Sequence, residues 1–162
     1  MAAQIRLFRE TDLNRVLDIA AAAWVPVFES YRDILGPALF DLVHPDWESA
    51  KRRQVAVECR DDSGIRVWVA EEDGEVAGFI TAQMDRATQI GEIGNNAVEP
   101  GHQGRGLGTL MYEYVLDRMR EAGMKCVTVG TGADASHASA RRAYEKAGFS
   151  HALPSVQYYR TI

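Results

Sequence analysis

The sequence predicts an α+β fold, and two patterns carry the prediction. Residues 65–83, IRVWVAEEDGEVAGFITAQ, contain two β-rich runs on either side of Asp73-Gly74, a dipeptide typical of tight hairpin turns. A third β-rich run extends from about Thr88 to Val98. Segments with helical periodicity lie before and after these three consecutive runs, which is the order of an α+β protein and not of a repeated βαβ unit.

The N-terminal segment is predicted to form one strand followed by helices. Ile5 to Phe8 favour a short strand, and Thr11 suits the N-cap of a helix. The apolar residues that follow share one helical face: Leu13, Val16, Leu17, Ala20, Ala21 and Trp24. Pro26 is expected to end or kink this helix. The next stretch is helical in character but is broken by Gly36-Pro37 and by His44-Pro45.

Helical periodicity is clearest after the glycine-rich stretch QGRGLG. Six of the seven positions on one face are apolar there: Leu107, Leu110, Met111, Tyr114, Val115, Arg118 and Met119. This helix is expected to end at Gly123, before a short buried strand from Cys126 to Val129. A second helix is predicted from about Ser136 to Ala147, and the C-terminal SVQYYRTI favours a final strand.

Length and composition are those of one ordinary domain. The chain has 162 residues, of which 46% are apolar and 25% charged, and no repeat or low-complexity linker divides it. Residues 1–162 are therefore predicted to form a single domain with its own core. The N-terminus lacks a signal-peptide pattern and no apolar run is long enough to span a membrane, so a cytoplasmic location without membrane association is expected.

The charge balance and the cysteines argue against several classes of function. A net charge of −5 is unfavourable for nucleic-acid binding, which needs a basic surface, but suits a cationic substrate such as an amine. The one basic triplet, Lys51-Arg52-Arg53, is expected to be a solvated helix face. Cys59 and Cys126 lack metal-ligand spacing and are expected to be reduced, buried thiols. The histidines are equally scattered, so no metal site is predicted.

The stretch Gln103 to Gly108 is predicted to bind an anion. At a helix N-terminus several backbone N–H groups lack intrahelical partners and carry partial positive charge, which favours a phosphate or pyrophosphate. Glycines allow the anion to approach the backbone closely, and Arg105 adds a charged group. The P-loop and dinucleotide-binding patterns do not fit, because the required lysine and the required acid are both missing. The stretch instead matches a third pattern: Arg or Gln, two residues, Gly, one residue, Gly or Ala.

That third pattern resembles the pyrophosphate loop of the GNAT superfamily of acetyl-CoA-dependent N-acetyltransferases. AVEPGHQGRGLGTLM resembles the family's fourth strand, loop and third helix, and SARRAYEKAGF (Ser139 to Phe149) resembles its fourth helix. The resemblance is strong from about Glu92 to Phe149 and loose before Ile65. It implies a mixed, mostly antiparallel central sheet flanked by helices, with a splayed V between the fourth and fifth strands. Dimers are common in the family, so a homodimer is one expectation.

The resemblance also implies a reaction and a set of site residues. The reaction is direct transfer of an acetyl group from acetyl-CoA, the cosubstrate, to a primary amine in a ternary complex, without a metal. Val98 is then the backbone N–H donor to the tetrahedral oxyanion. The residues implied to contact CoA are Ala97, Val98, Gln103, Gly104, Arg105, Gly106, Leu107, Gly108, Thr109, His137 and Ala140. His137 stands where the family often has an asparagine that hydrogen-bonds the pantetheine arm.

Two catalytic roles follow from the same resemblance. Tyr144 matches the tyrosine that protonates the CoA thiolate, and Glu92 matches a glutamate that deprotonates the acceptor amine. A water relay is the alternative to Glu92, and core packing is the alternative role of Tyr144. A different class of protein, a CoA-binding sensor or interaction module without catalysis, would carry the same loop.

The acceptor amine is not specified by the sequence. It is expected to be a small molecule or a peptide, bound between the first two helices and the splayed sheet. The aromatic candidates for lining that cleft, or alternatively for the core, are Trp24, Phe28, Tyr31 and Trp47. Asn95 and Asn96 are polar in an apolar strand, so they either face the cleft or form a β-bulge.

Overall fold

One five-stranded sheet and five α-helices make up residues 3–162, the part of the chain that the computed structural model describes. The predicted α+β order is confirmed, with three helices between the first two strands. The strands are β1 (Gln4–Leu7), β2 (Arg66–Glu72), β3 (Glu75–Asp85), β4 (Ile90–Val98) and β5 (Cys126–Val129). The helices are α1 (Leu13–Leu35), α2 (Pro37–Val43), α3 (Trp47–Glu58), α4 (Leu107–Glu121) and α5 (Ala138–Lys146).

The strands lie in the sheet in chain order, and the last pair differs from the others. β1 to β4 pair antiparallel, and β2 and β3 are joined at Asp73-Gly74, where both residues have positive φ as a tight hairpin turn requires. β5 pairs parallel to β4, but only as far as Ile93 opposite Val129. β4 then continues to Val98 without β5 beside it, so the predicted splay between the fourth and fifth strands is confirmed.

The apolar residues form a core on each face of the sheet. On one face Val16 and Ile19 of α1 and Val55 of α3 pack against Val69 and Phe79. On the other face α4 and α5 cover the sheet through a set of buried residues that includes Met111, Tyr112, Val115, Met119 and Tyr144. Because the helices are anchored on opposite faces, the open edge of β4 lies between them. Within residues 3–162, every helix is either too short or too polar to span a lipid bilayer.

Three local expectations are corrected. Pro26 does not end α1, which continues to Leu35, because Pro26 lies on the exposed side of the helix together with Ala22, whose carbonyl loses its helical partner. The predicted final strand does not form: residues 150–162 are exposed and contain no strand, since they meet no partner edge. Cys126 is exposed at the start of β5, and Cys59 is half-buried, with its pKa raised to about 11 by burial.

A polar network ties the N-terminal strand to the start of α1. The Arg6 guanidinium donates to both carboxylate oxygens of Asp12, at 2.7 and 3.0 Å, and to Glu71 on β2 at 2.7 Å. The Arg9 backbone N–H donates to the same Asp12 carboxylate at 2.8 Å. Asp12 is buried, so its charge depends on these partners.

Asp12→Asn is expected to lower the free energy of unfolding by about 2 kcal/mol, because charge-assisted hydrogen bonds to a buried group are lost. The hydrogen bond from Arg6, opposed by burial, holds the pKa of Asp12 below its usual range. The stabilisation is therefore present above the unfolded-state pKa and is lost as pH falls through the folded-state pKa. Urea unfolding of both proteins from neutral to acidic pH measures this difference.

Asp41→Asn is the matched control, because it removes an exposed ion pair with Arg32. It should change the free energy of unfolding by less than about 1 kcal/mol. Equal losses in the two variants, or a loss at Asp12 that does not diminish at acidic pH, would contradict the role given to the Arg6–Asp12 pair.

Candidate active site

A cavity of about 910 Å³ opens where β4 and β5 separate. Its walls come from the end of β4, the start of α4, the loop after β5, α5, and the inner faces of α1 and α3. All but one of the residues that the sequence assigns to the site line it: Glu92, Ala97, Val98, Gln103, Gly104, Gly106, Leu107, Gly108, Thr109, His137, Ala140 and Tyr144. The exception is Arg105, whose guanidinium lies 3.4 Å from Glu72 and 3.2 Å from the Gly101 carbonyl.

The glycine-rich stretch presents bare backbone groups to this cavity. Gly106 precedes α4 with φ at 87°, a conformation that side chains rarely adopt, and its carbonyl accepts the first helical hydrogen bond from Leu110. The N–H groups of residues 107–109 therefore have no acceptor within the helix. Together with the positive end of the helix dipole, they form a site suited to an anionic group.

The end of β4 turns backbone groups toward the same cavity. Glu99 N–H donates to the Ala77 carbonyl at 2.8 Å, which makes the neighbouring pair Gly78 and Val98 a non-hydrogen-bonded one. The polar groups of such a pair point away from each other, so Val98 directs its N–H to the edge that β5 leaves open. Gln103 donates from its side chain to the Val98 carbonyl at 3.0 Å and fixes this end of the strand.

Two neighbouring asparagines of β4, beside a β-bulge, face opposite walls of the cavity. Ile80 lies opposite Asn96 and Ala82 opposite Ile93, so Gly94 and Asn95 face one residue of β3. Asn95 then contacts α3, whereas Asn96 contacts α4 and α5. Both alternatives for this pair are realised, because Asn95 lies in the bulge and both side chains line the cleft, on opposite faces as successive strand residues do.

The wall formed by α4 and α5 contains two tyrosines that are linked through the side chain of Asn96. Tyr112 donates to Asn96 Oδ1 at 2.7 Å, and Asn96 Nδ2 donates to the Tyr144 hydroxyl at 3.3 Å. Burial, with a smaller influence of Tyr144, raises the pKa of Tyr112 far above its usual value, so Tyr112 remains a donor. Since the Tyr144 oxygen accepts from Asn96, its own proton is available to a group in the cavity.

The opposite wall holds a second network, which the sequence did not predict. Lys51 is only 9% exposed, and its ammonium group donates to Asn95 at 2.5 Å and lies 3.7 Å from the ring centre of Trp24. Asn95 in turn donates to Glu58 at 2.6 Å. Burial lowers the pKa of Lys51 to about 8, although Glu58 acts in the opposite direction. The expectation that Lys51 belongs to a solvated face is therefore wrong. The burial of Lys51 results from the packing of α3 against β4, which the local sequence does not reveal.

The loop after β5 places His137 in the cavity wall beside an aspartate. His137 Nδ1 lies 2.6 Å from Asp134 Oδ1, and Asp134 also caps this short turn by accepting from the Ser136 N–H. Asp134 was not identified from the sequence; the signal that could have found it is an aspartate at an N-cap position just before the predicted helix. Of the four candidate aromatic residues, Trp24 and Tyr31 line the cavity, whereas Phe28 stacks on Trp47 beside a smaller neighbouring pocket.

The cleft combines an anion site, an open strand edge and a hydroxyl donor. Comparison with known proteins identifies a family of enzymes with this fold. The family model described as the acetyltransferase (GNAT) family matches residues 24–149. The chain belongs to this family.

Among residues 3–162, no three His, Cys, Asp or Glu side chains are grouped as metal ligands would be.

Individual GNAT relatives share part of their length with this chain. The mycothiol acetyltransferase of Sanguibacter keddieii is 38% identical over 97 residues, which are 57% of this chain and 30% of that protein. The ribosomal protein bS18-alanine N-acetyltransferase of Salmonella typhimurium is 36% identical over 55% of this chain and 57% of its own length. The chain thus spans between about a third and just over half of these curated relatives.

A solved GNAT structure matches over nearly the whole fold. The PaiA N-acetyltransferase of Thermoplasma acidophilum, solved in complex with coenzyme A, has a TM-score of 0.68 over 93% of this chain and 91% of its own, with 18% sequence identity. At that identity the likeness establishes the shared fold.

Gly108→Glu is expected to weaken CoA binding at least about tenfold, because a carboxylate beside the free N–H groups of α4 repels a pyrophosphate. Gly108 lies within α4 and a Cβ there has room, with Tyr112 at 3.9 Å, whereas any side chain at Gly106 would strain the backbone. Titration calorimetry with CoA and a thermal unfolding curve measure the two effects separately.

The control for this substitution is Gly101→Glu, which adds the same charge outside the cavity at a position with open space around it. Both variants should keep the melting temperature of the parent protein. Unchanged CoA affinity in Gly108→Glu would contradict the assignment of the α4 N-terminus as an anion site.

Proposed function

We propose that residues 1–162 form one N-acetyltransferase domain that transfers an acetyl group from acetyl-CoA to a primary amine by direct attack in a ternary complex. The observation that supports this most is the meeting of three groups in one cavity: the free N–H groups of α4, the outward N–H of Val98 and the Tyr144 hydroxyl. These groups fit the diphosphate, the thioester carbonyl and the thiolate of one bound acetyl-CoA.

The donor is held along a path from α4 to the open edge of β4. The loop residues 103–109 bind the pyrophosphate, and Ala97 and Val98 pair with the pantetheine arm as a neighbouring strand would. His137 and Ala140 complete that channel from the side of α5. The Val98 N–H then donates to the carbonyl oxygen as it gains negative charge, and a fixed backbone dipole needs no reorganisation during the reaction.

Tyr144 and Glu92 supply the proton transfers on this proposal. Tyr144 gives its proton to the departing thiolate, since its oxygen already accepts a hydrogen bond from Asn96. Glu92 lies on the face of β4 that looks toward α3, where it lines the cavity and is exposed. It takes one proton from the incoming ammonium group and passes it to water.

The acceptor is proposed to be a small molecule or a peptide that carries a primary amine. The relative named as a ribosomal protein bS18-alanine N-acetyltransferase supports an amine acceptor on a peptide, and the relatives named mycothiol acetyltransferase support a small-molecule acceptor. The acceptor is placed next to Trp24, Tyr31 and Glu58, because these residues of α1 and α3 line the cavity on the side away from α4 and α5. A cytoplasmic location and a homodimer belong to the same proposal.

The proposal is tested by measuring CoA release from acetyl-CoA with a thiol reagent in the presence of a panel of amines. The panel includes a peptide with amino-terminal alanine, a free amino acid and the polyamine spermidine. Amine-dependent release, with the acetylated product identified by mass spectrometry, is the expected result. CoA binding without release with any amine would favour a sensor or interaction module instead.

Tyr144→Phe is expected to lower kcat about 10²-fold with little change in the affinity for acetyl-CoA, because it removes the proton donor and keeps the ring. Tyr114→Phe is the matched control, since Tyr114 lies on α4 and packs against Trp68 outside the cavity. Stopped-flow or steady-state CoA release measures kcat for both. Similar rates in the two variants would contradict the role of Tyr144.

A further inference from the structure

The Asp134–His137 pair has the construction of a catalytic dyad. Asp134 accepts from Ser30 at 2.9 Å, from the Ser136 N–H at 3.2 Å, from the Ser136 hydroxyl, and from His137 at 2.6 Å. Burial alone would raise the pKa of Asp134, but the hydrogen bonds from Ser136, His137 and Ser30 lower it far below its usual value. The carboxylate is therefore ionised and accepts hydrogen bonds only.

This environment determines the tautomer of His137. Because an ionised carboxylate cannot donate, Nδ1 must carry the proton that it shares with Asp134, and a neutral ring then has its lone pair on Nε2. Nε2 lies on the side of the ring opposite Asp134, and it makes no hydrogen bond to any group within residues 3–162. His137 lines the cavity with a side chain 15% exposed.

The loop around the pair is shaped to let the two side chains meet. A Cβ atom at Gly132 would lie 2.6 Å from Asp134 Oδ1 and closer still to His137 Nδ1, so only glycine leaves room for this hydrogen bond. Arg141 from α5 donates to the carbonyls of Gly132 and Asp134 at 2.7 and 2.8 Å, which fixes the loop. A contact to pantetheine alone would not require a charged partner held by four hydrogen bonds.

We propose that His137, oriented by Asp134, is a second catalytic base that takes the proton leaving the acceptor nitrogen as the amide bond forms. The inference rests on the proposed N-acetyltransferase activity and adds to it, since an ammonium nitrogen loses two protons on its way to an amide. Glu92 takes the first proton before attack, and His137 takes the second.

The step balances without any further reagent. The amine lone pair attacks the thioester carbonyl carbon, the C–N bond forms, and the carbonyl electrons move to the oxygen facing the Val98 N–H. His137 Nε2 accepts the proton from the positively charged nitrogen, and the imidazolium that results is stabilised by Asp134. The C–S bond then breaks, Tyr144 protonates the thiolate, and one proton returns to Tyr144 while the other reaches solvent.

Three groups from different elements surround the His137 ring. Asp134 from the loop accepts from Nδ1, Arg141 from α5 is directed to backbone carbonyls, and Tyr31 from α1 lies 6.1 Å away between ring centres. None of these contacts occupies Nε2, the nitrogen that the proposal assigns to the acceptor proton.

His137→Asn is the decisive variant, because asparagine keeps a hydrogen-bonding group for pantetheine and removes the base. We expect kcat to fall about 10²-fold, with CoA affinity retained. The amine is the member of the panel above that gives the fastest CoA release. His151→Asn, which changes an exposed histidine in the C-terminal segment, serves as the control and should leave kcat and CoA affinity unchanged.

Two further measurements separate the outcomes. Gly132→Ala should lower kcat while His137 is still present, because the added methyl group separates the ring from Asp134. Nitrogen-15 NMR of the parent protein should show His137 protonated at Nδ1. Full kcat in His137→Asn, a loss of CoA affinity that accounts for the whole defect, or an Nε2–H tautomer would overturn the inference. No CoA release by the parent protein with any amine would overturn the proposed function itself.

Discussion

The site depends on one constraint: β3 pairs with β4 as far as Val98, whereas β5 pairs with it only as far as Ile93. Four residues of β5 pair with β4, and beyond Ile93 the outer edge of β4 is left without a strand. The Val98 N–H points to this open edge and can pair with an extended ligand, whereas the Val98 carbonyl already accepts from the Gln103 side chain. The bulge at Gly94 and Asn95 falls directly after the point of separation, and the side chains of Asn95 and Asn96 line the cleft there.

Much of the fold follows from local signals. The hairpin at Asp73-Gly74, the breaks at Gly36-Pro37 and His44-Pro45, and the start of α4 each depend on residues adjacent in sequence. The final strand was predicted for the same reason and failed, because a strand also needs a partner edge, which the local sequence does not contain. Pro26 was misjudged because its effect depends on which face of α1 it occupies.

The candidate site was predictable where a motif marks it, as in the glycine-rich loop and the segment around Tyr144. The remaining groups could not be predicted, because they depend on segments far apart in the chain. Asn95 and Glu58 are separated by 37 residues, and Ser30 and Asp134 by 104. Burial of Lys51 within a basic triplet gives no periodic signal in the sequence. The same is true of the contact between His137 and Asp134, which forms only because Gly132 has no side chain.

One part of the cavity wall carries partial positive charge and another part carries carboxylates. This difference affects where each of two substrates would bind. At the α4 end the free N–H groups and the helix dipole favour the diphosphate of the donor. At the other end Glu58 and Glu92 line the wall, while the nearby Lys51 ammonium is occupied by Asn95 and by the Trp24 ring. On the proposed function, a cationic amine is attracted to the wall that carries Glu58 and Glu92, and the diphosphate is attracted to the N-terminus of α4. The electrostatics of the cleft would then orient donor and acceptor before any contact specific to either one forms.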